Sequence, residues 1–445
     1  MFCQRSFSEN HKEAFMPLSQ SFKRRLYPHV PTIIAKFGSP AFIYDEAGIK
    51  STGLCLNTAF EGFNFKEFFA VKALPNDSIM KVMRSMGFGF DCSSVHELQL
   101  AASVGATGCD VMFTSNNTST EEFKTALDMG VILNLDDISM VEPVKRICKS
   151  MGKNFPDHIC FRFNPGRARK GTSIIGKPQE AKYGVTDKQF VPAYKRAFNA
   201  GATTSGIHSM ICSNQRNWRY HAATTKMLLE RCEVLEKATG KRCRYINVGG
   251  GWGVNYRPSQ QPLDTQRLTS ATRRLLMDFN TAHGWAPSLF MENGRFMAGP
   301  HGALVTKVIN RKDTYETHIG VDACPMASIP RPFIYGAYHH IDVLDPSGRV
   351  KGGQLYRVNV VGPACENTDR FATRRLLPFI ELGDIIVVHE AGAHSIAMRS
   401  NYNGRTAPQE LLRHEDGMVE QIRRAETTED LWRTLREASH EMLQT

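Results

Sequence analysis

The stretch FFAVKALPN, residues 68–76, runs four apolar residues into Lys72 and is broken by Pro75. Such a run reads as a short buried strand with a lysine at its carboxyl end. Seven more runs of the same kind follow: FGFD (88–91), VMFTS (111–115), VILNL (131–135), HICFRF (158–163), GIHSMI (206–211), YINVGGG (245–251) and SLFME (288–292). Helical patterns lie between them, such as DSIMKVMRSM (77–86) and VHELQLAASVGA (95–106), the latter with a glycine where a helix would stop. Eight strands separated by helical crossovers predict an α/β fold of the (β/α)8 TIM-barrel type, in which chemistry sits at the C-terminal ends of the strands. Lys72, Asp91, Gly249–Gly251 and Glu292 all fall at such ends.

After Gly299-Pro300 the texture changes. The runs ALVTKVI (303–309), YRVNVVG (356–362) and DIIVVH (384–389) are β-rich with few helices between them, and AFIYD (41–45) is a candidate to join them. The expected organisation is an N-terminal segment, 1–35, partly disordered, and a barrel over 36–300 whose first strand joins the β domain. A C-terminal β-rich domain, sandwich- or barrel-like, then occupies 301–445. Its last stretch, DLWRTLREASHEML (430–443), reads as an amphipathic helix. No internal repeat is present.

Bulk properties narrow the function. The chain has 445 residues, enough for two domains, and no run long enough to cross a bilayer. Met1 to Lys23 is polar and of mixed charge, without the apolar core of a signal peptide, so a cytoplasmic protein is expected. Eleven cysteines are scattered with no CxxC pair, which argues against a zinc site and against a disulfide framework. The formal charge is +11, yet the basic residues are dispersed and no aromatic-and-basic module accompanies them. Nucleic acid is therefore not the expected partner, whereas a phosphorylated cofactor and an acidic substrate suit such a field.

Four features carry chemistry. Burial at the end of an apolar run would lower the Lys72 pKa and favour covalent chemistry at its amine, although a strand-end lysine facing water is the plainer reading. Gly249-Gly250-Gly251 after a strand lets backbone N–H groups approach an anion, the alternative being a bare turn. FMENGRFMAGP (290–300) sets Glu292 at a strand end near Arg295, either a functional acid or a surface pair. VVGPACENTD (360–369) sets Cys365, a possible proton donor or a structural thiol, beside Glu366.

The order of these motifs is more specific than any one of them. FFAVKALPN, GFDCSSVHELQLA, INVGGGWGV, MENGRFMAGP, RPFIYGAYH, VVGPACENTD, EAGAHSIAMRSNYNGR and RRAETTEDL together resemble the diaminopimelate decarboxylase family, within the alanine-racemase-like (fold-type III) enzymes that use pyridoxal 5'-phosphate. The resemblance runs from about residue 35 to about residue 435. It implies that Lys72 carries the cofactor, that Asp91 and Arg162 support the lysine and the ring, and that Glu292 faces the pyridine nitrogen. Gly249, Gly250, Gly251 and Ser213 would hold the phosphate. Arg295, Arg331 and Tyr335 match substrate-binding positions. Cys365 and Glu366 match a catalytic and a substrate-binding residue that the family delivers across a homodimer interface.

Three departures stand against that pattern. The family's ring-stacking histidine is Met210 here, in GIHSMICSN, with His208 two residues before it. The thioether can cover an aromatic face, and alternation along a strand would put His208 on the same side. The tyrosine usual near the phosphate is His394, and the usual EPGR is ENGR. Arg295 and Arg331 favour a substrate with a distal carboxylate. The resemblance thus implies decarboxylation of meso-diaminopimelate to L-lysine and CO2. Related readings are a decarboxylase of another diamino acid such as D-lysine or D-ornithine, one acting on a modified amino acid in a biosynthetic cluster, and a non-catalytic cofactor-binding homologue.

Overall fold

The computed structural model describes residues 17–437. They form two compact units, one of Ile49–Asn255 and Gln261–Ala298, the other of the chain up to Gly48, Tyr256–Gln260 and Gly299 onward.

The strand Ala41–Asp45 (β1) belongs to the second unit; the next eight build the first. They are β2 (Phe65–Ala70), β3 (Gly89–Cys92), β4 (Val111–Ser115), β5 (Ile132–Leu135), β6 (His158–Arg162), β7 (Thr204–His208), β8 (Cys243–Asn247) and β9 (Ser288–Met291). All are parallel, and they close into an eight-stranded barrel when β9 pairs with β2, Phe65 opposite Leu289. The sequence runs located each strand but overran several at the carboxyl end. Lys72 lies in a single helical turn, Val71–Ala73, and the glycine run lies beyond Asn247. In each case the ladder stops where the chain turns out of the barrel to present side chains.

Local chemistry sets the crossovers. Asn76 caps the helix Asp77–Ser85 by accepting from Ser78 N, and Ser94 caps Val95–Ser103 by accepting from Glu97 N. Ser119 and Glu122 form a reciprocal capping box on Thr120–Asp128. Inside, Phe68, Met112, Ile132, Cys160 and Tyr245 fill the barrel, with Phe290 stacked on Tyr245 at 4.4 Å between centroids.

In the second unit, β1 is central to a nine-stranded sheet. It pairs antiparallel with β10 (Gly302–Asp313), Ala41 opposite Val305, and parallel with the strand Gln409–Arg413, Ala41 opposite Gln409. Of the amino-terminal segment expected to be partly disordered, residues 1–16 lie outside the described residues, and the rest is ordered on the sheet. Gln20–Leu26 and Val30–Phe37 are helices, and Phe22, Leu26, Val30, Ile33 and Ile34 are buried against Ile43, Val305, Val387 and Leu411. Their apolar spacing buries one face on the sheet, which outweighs the polar composition of the segment as a whole. The carboxyl-terminal helix covers Thr428–Arg436 and buries none of its residues, so Trp432 and Leu435 stay open. The part of the expected helix beyond Glu437 lies outside the described residues. Among the described residues no helix is long and apolar enough to cross a membrane.

Gly206 on β7 stands opposite Tyr245, and a Cβ there would come within 2.0 Å of the tyrosine ring. The position admits no side chain unless the filled barrel interior yields. Gly206→Ala should therefore destabilise the barrel by about 1–3 kcal/mol or more, measured as a lowered urea midpoint.

Candidate active site

The site begins at the joint where the barrel closes. Lys72 follows β2, Asp91 lies on the adjacent β3, and Glu292 follows β9 on the other side. Lys72 Nζ stands 3.2 Å from Asp91 Oδ2; half of the lysine side chain is open while Asp91 is buried. The other Asp91 oxygen accepts from Thr114 Oγ1 at 2.9 Å, and Thr114 Oγ1 accepts in turn from Asn134 Nδ2 at 3.1 Å. Neighbouring strands thus each contribute one polar residue, forming a ladder that fixes the carboxylate beside the amine.

The charges settle unequally. Burial acts to lower the Lys72 pKa, but Asp91 and Glu292 outweigh it and hold the amine above the ordinary lysine value. Burial is the largest single effect, yet the carboxylates together exceed it, which corrects the expectation of a lowered pKa. Burial raises the Asp91 pKa, and the Glu292 charge adds to this against the pull of Lys72 and Thr114. Burial also acts to raise Glu292, yet His208, Lys72 and Asn247 bring it down to about 2. His208 Nε2 lies 3.2 Å from one Glu292 oxygen, and Asn247 Nδ2 donates to the other at 2.6 Å. Glu292 is therefore ionised at neutral pH.

The glycine run is fixed by close approach. Gly249 and Gly251 have φ of +66° and +87°, and a Cβ on Gly250 would meet the Glu292 carbonyl oxygen at 2.1 Å. Asn247 Oδ1 accepts from Gly249 N, and Glu292 N donates to Gly249 O. The loop carrying Ser213 is knitted to the same turn, since Gln215 N donates to Gly251 O and Gly253 N to Gln215 O. The structure thus brings Ser213 and the three glycines together. Arg162, at the end of β6, donates from Nη2 to Met210 O at 3.0 Å and stacks on Tyr183 with its guanidinium carbon 3.7 Å from the ring centroid.

Two departures gain a physical account here. Strand β7 ends at His208, so alternation does not carry on to Met210, and His208 is engaged by Glu292. The expected sharing of a strand face is thereby corrected: Met210 sits in the loop, its thioether beside Gly249. Asn293, where the family pattern has proline, donates its backbone N–H to the Glu67 carboxyl and its side-chain amide to the other oxygen at 3.3 Å. Glu67 is buried, and burial raises its pKa well above the ordinary value against those bonds. Proline has no N–H to give. Glu67 and Asn293 are thus matched to each other, and together they hold the turn that follows Glu292.

Arg295 is buried at the start of the short helix Arg295–Ala298 in the barrel unit. The remaining expected residues belong to the second unit. Arg331 is buried at the start of the helix Arg331–Tyr335 and donates from Nη1 to Tyr256 Oη at 3.1 Å, while Tyr335 ends that helix half exposed. Cys365 is exposed, its backbone N–H donating to Asn403 Oδ1, and Glu366 accepts from Thr368 Oγ1. His394 has a left-handed φ of +52°. Sequence reasoning missed Thr114, Asn134, Asn247 and Glu67. Each is a polar residue inside an apolar strand, and that was the available signal.

These groups fit pyridoxal phosphate. An amine with open surface, an ionised buried acid, a glycine turn that a single Cβ would fill, and a buried His208 Nδ1 without a hydrogen-bond partner meet its needs. The Glu67–Asn293 pairing gives a direct test. Asn293→Pro should cost about 1–3 kcal/mol, seen as a lowered melting temperature, because it strands a buried carboxyl. Combining it with Glu67→Leu should recover most of that loss.

Residues 49–299 match the family model described as the pyridoxal-binding domain of pyridoxal-dependent decarboxylases. The chain is 40% identical to Protein TabA of Pseudomonas amygdali pv. tabaci, covering 93% of this chain and 95% of that protein. It is 32% identical to a diaminopimelate decarboxylase of Methanothermobacter thermautotrophicus, covering 89% and 92%. It also superposes on the crystal structure of diaminopimelate decarboxylase from Helicobacter pylori complexed with L-lysine, with a TM-score of 0.83 and 27% identity over 92% of this chain and 99% of that one. With Lys72, Glu292 and the glycine turn at one barrel mouth, the chain belongs to the diaminopimelate decarboxylase family of pyridoxal-dependent amino-acid decarboxylases.

Proposed function

We propose that the enzyme decarboxylates meso-diaminopimelate at its D-centre, giving L-lysine and CO2, as a cytoplasmic homodimer with shared active sites. The observation that carries the substrate is the burial of two arginines, Arg295 and Arg331. A guanidinium's planar fork matches a carboxylate in two places, and both arginines stand at positions the family uses for substrate. A simple diamine product offers no such group. The L-lysine in the Helicobacter pylori relative supports the product assignment. All ten described cysteines are free thiols, which supports a reducing compartment.

Bound pyridoxal phosphate supplies an electron sink for the charge left on Cα when CO2 departs. The chain's own residues do the rest. Lys72 would hold the cofactor covalently, with Asp91 against its amine. Glu292, ionised by its surroundings, would hold a proton on the pyridine nitrogen and so strengthen the sink. Gly249, Gly250, Gly251, Ser213 and His394 would hold the phosphate, while Arg162, His208 and Met210 would border the ring. Arg295, Arg331 and Tyr335 bind substrate carboxylate and orient the molecule, and Glu366 takes the ammonium group. Cys365 returns a proton to Cα. Its exposure in one chain supports delivery to the site of a second copy.

Met210 and His394 favour a second reading, in which the substrate is a modified amino acid. Purified holoenzyme assayed for CO2 release decides between them. Release from meso-diaminopimelate, with a KM raised about tenfold or more in Arg331→Lys, is expected. Turnover only of D-lysine, D-ornithine or a modified amino acid would replace the substrate, and no turnover at all would mark a non-catalytic homologue. Sharing is tested by mixing inactive Lys72→Ala and Cys365→Ala subunits. Reassorted dimers should regain about a quarter of wild-type activity, since half are mixed and each mixed dimer has one intact site.

A further inference from the structure

The second unit contains a cavity of about 420 Å³ whose wall carries Arg257, Arg370 and Arg375 with Tyr338, Thr368 and Thr373. None of the described residues lining it is acidic. The guanidinium carbons of Arg257 and Arg375 stand 4.0 and 3.9 Å from the centroid of the Tyr338 ring. Two planar groups so close to one centroid must take opposite faces, so the ring is clamped between two cations. Arg375 is further fixed by donating from Nη1 to His339 O at 2.9 Å. Arg370 is braced by Asn367, from Nε to the carbonyl at 2.6 Å and from Nη2 to Oδ1 at 2.5 Å.

A guanidinium has five N–H donors, and these bonds use one on Arg375 and two on Arg370. Among the described residues no carboxylate forms an ion pair with any of the three, Glu316 acting on Arg370 only through its charge. Burial pushes the Arg375 pKa down and the nearby Arg257 charge pushes it further, against the opposing effect of Tyr338. Like charges fixed in one wall repel, and nothing in that wall neutralises them. The cavity volume falls in the range of small-molecule sites, about 300–1,000 Å³.

We propose that this cavity binds a small oxyanion with two or more negative charges, a phosphate compound or a di- or tricarboxylate. Arginine forks would grip its oxygens in pairs, and the Thr373 hydroxyl would add a further donor, the Thr368 hydroxyl being taken by Glu366 at 3.1 Å. The site is built wholly from the second unit and uses none of the residues assigned to cofactor or substrate. Neighbouring positions do join the two roles. Pro332 and Phe333 line the cavity on the helix that begins with Arg331, and Tyr256, which accepts from Arg331, precedes Arg257 in the chain.

The test is calorimetric titration of the holoenzyme with pyrophosphate and, separately, with citrate. Cofactor already fills the other phosphate position, and neither titration depends on the substrate proposed above. One of the two should bind once per chain with Kd below about 1 mM at 0.15 M salt. Arg257→Gln/Arg375→Gln should weaken binding about tenfold or more, whereas Arg349→Gln, an exposed residue outside the cavity, should leave it unchanged. Pyrophosphate binding alone identifies a phosphate compound, and citrate alone a carboxylate. If the double variant fails to fold, Arg257→Gln alone supplies the comparison, since its guanidinium makes no hydrogen bond that the fold needs. Failure of both probes to bind overturns the proposal, as does binding unaltered in the variants. Dissociation of the dimer in the variant with no probe bound would assign the cavity to a subunit contact, and overturns it too.

Discussion

The ion pair of Lys72 with Asp91, facing Glu292 across the barrel seam, is the interaction on which the site depends. One amine cannot neutralise two carboxylates at once. The fold resolves the excess by giving Glu292 two further partners, His208 and Asn247, and by lifting the Asp91 pKa instead. The two acids are therefore driven apart in their proton affinity although they share one lysine. That division needs β9 to lie beside β2, which happens only because the barrel closes. A single turn after β2 and a single residue after β9 then suffice to present both groups. Stability and chemistry here follow from the same pairing of strands.

Much of the barrel was legible because its strands are short apolar runs bounded by breakers, and parallel strands buried on both faces read that way. Their carboxyl ends were less legible. In YINVGGG the ladder stops at Asn247, since the glycines turn away to close on Glu292 and on the Ser213 loop, contacts that no local pattern encodes. The polar ladder of Thr114 and Asn134 was invisible for a related reason. Each looks like an exposed strand position until the register places it beside its neighbour, Thr114 opposite Asn134. The helices Gln20–Leu26 and Val30–Phe37 were obscured by charge on their outer faces, although Phe22, Leu26 and Val30 already carried the inward stripe.

The departures from the family pattern differ in kind. Asn293 is compensated within the barrel unit, because Glu67 supplies the acceptor that its N–H requires. The rigid turn of proline is replaced by a hydrogen-bonded one, and Glu292 keeps its place. Met210 is a different matter. His208 cannot take over a stacking role without leaving Glu292, and Glu292 would then lose a contact that holds its pKa low. In the function proposed above the cofactor ring would be covered by a thioether, which is polarizable and conformationally adaptable. Such a face constrains tilt less than an imidazole does, so selectivity must rest more heavily on the groups that grip the substrate.

Cys365 and the helix Arg331–Tyr335 belong to the second unit, and their surroundings say how they are held. Asp369 organises the loop of Cys365 by accepting from Ala364 N at 3.0 Å and Met326 N at 3.2 Å, while its own carbonyl accepts from Gly362 N at 2.9 Å. The loop is therefore shaped from beneath, with Cys365 left outward. The helix Arg331–Tyr335 behaves alike: Arg331 is buried, yet Phe333, Ile334 and Tyr335 are each nearly half exposed. Under the homodimer proposed above, such a firmly scaffolded surface would lower the entropic cost of association, since rigid presentation leaves less freedom to lose.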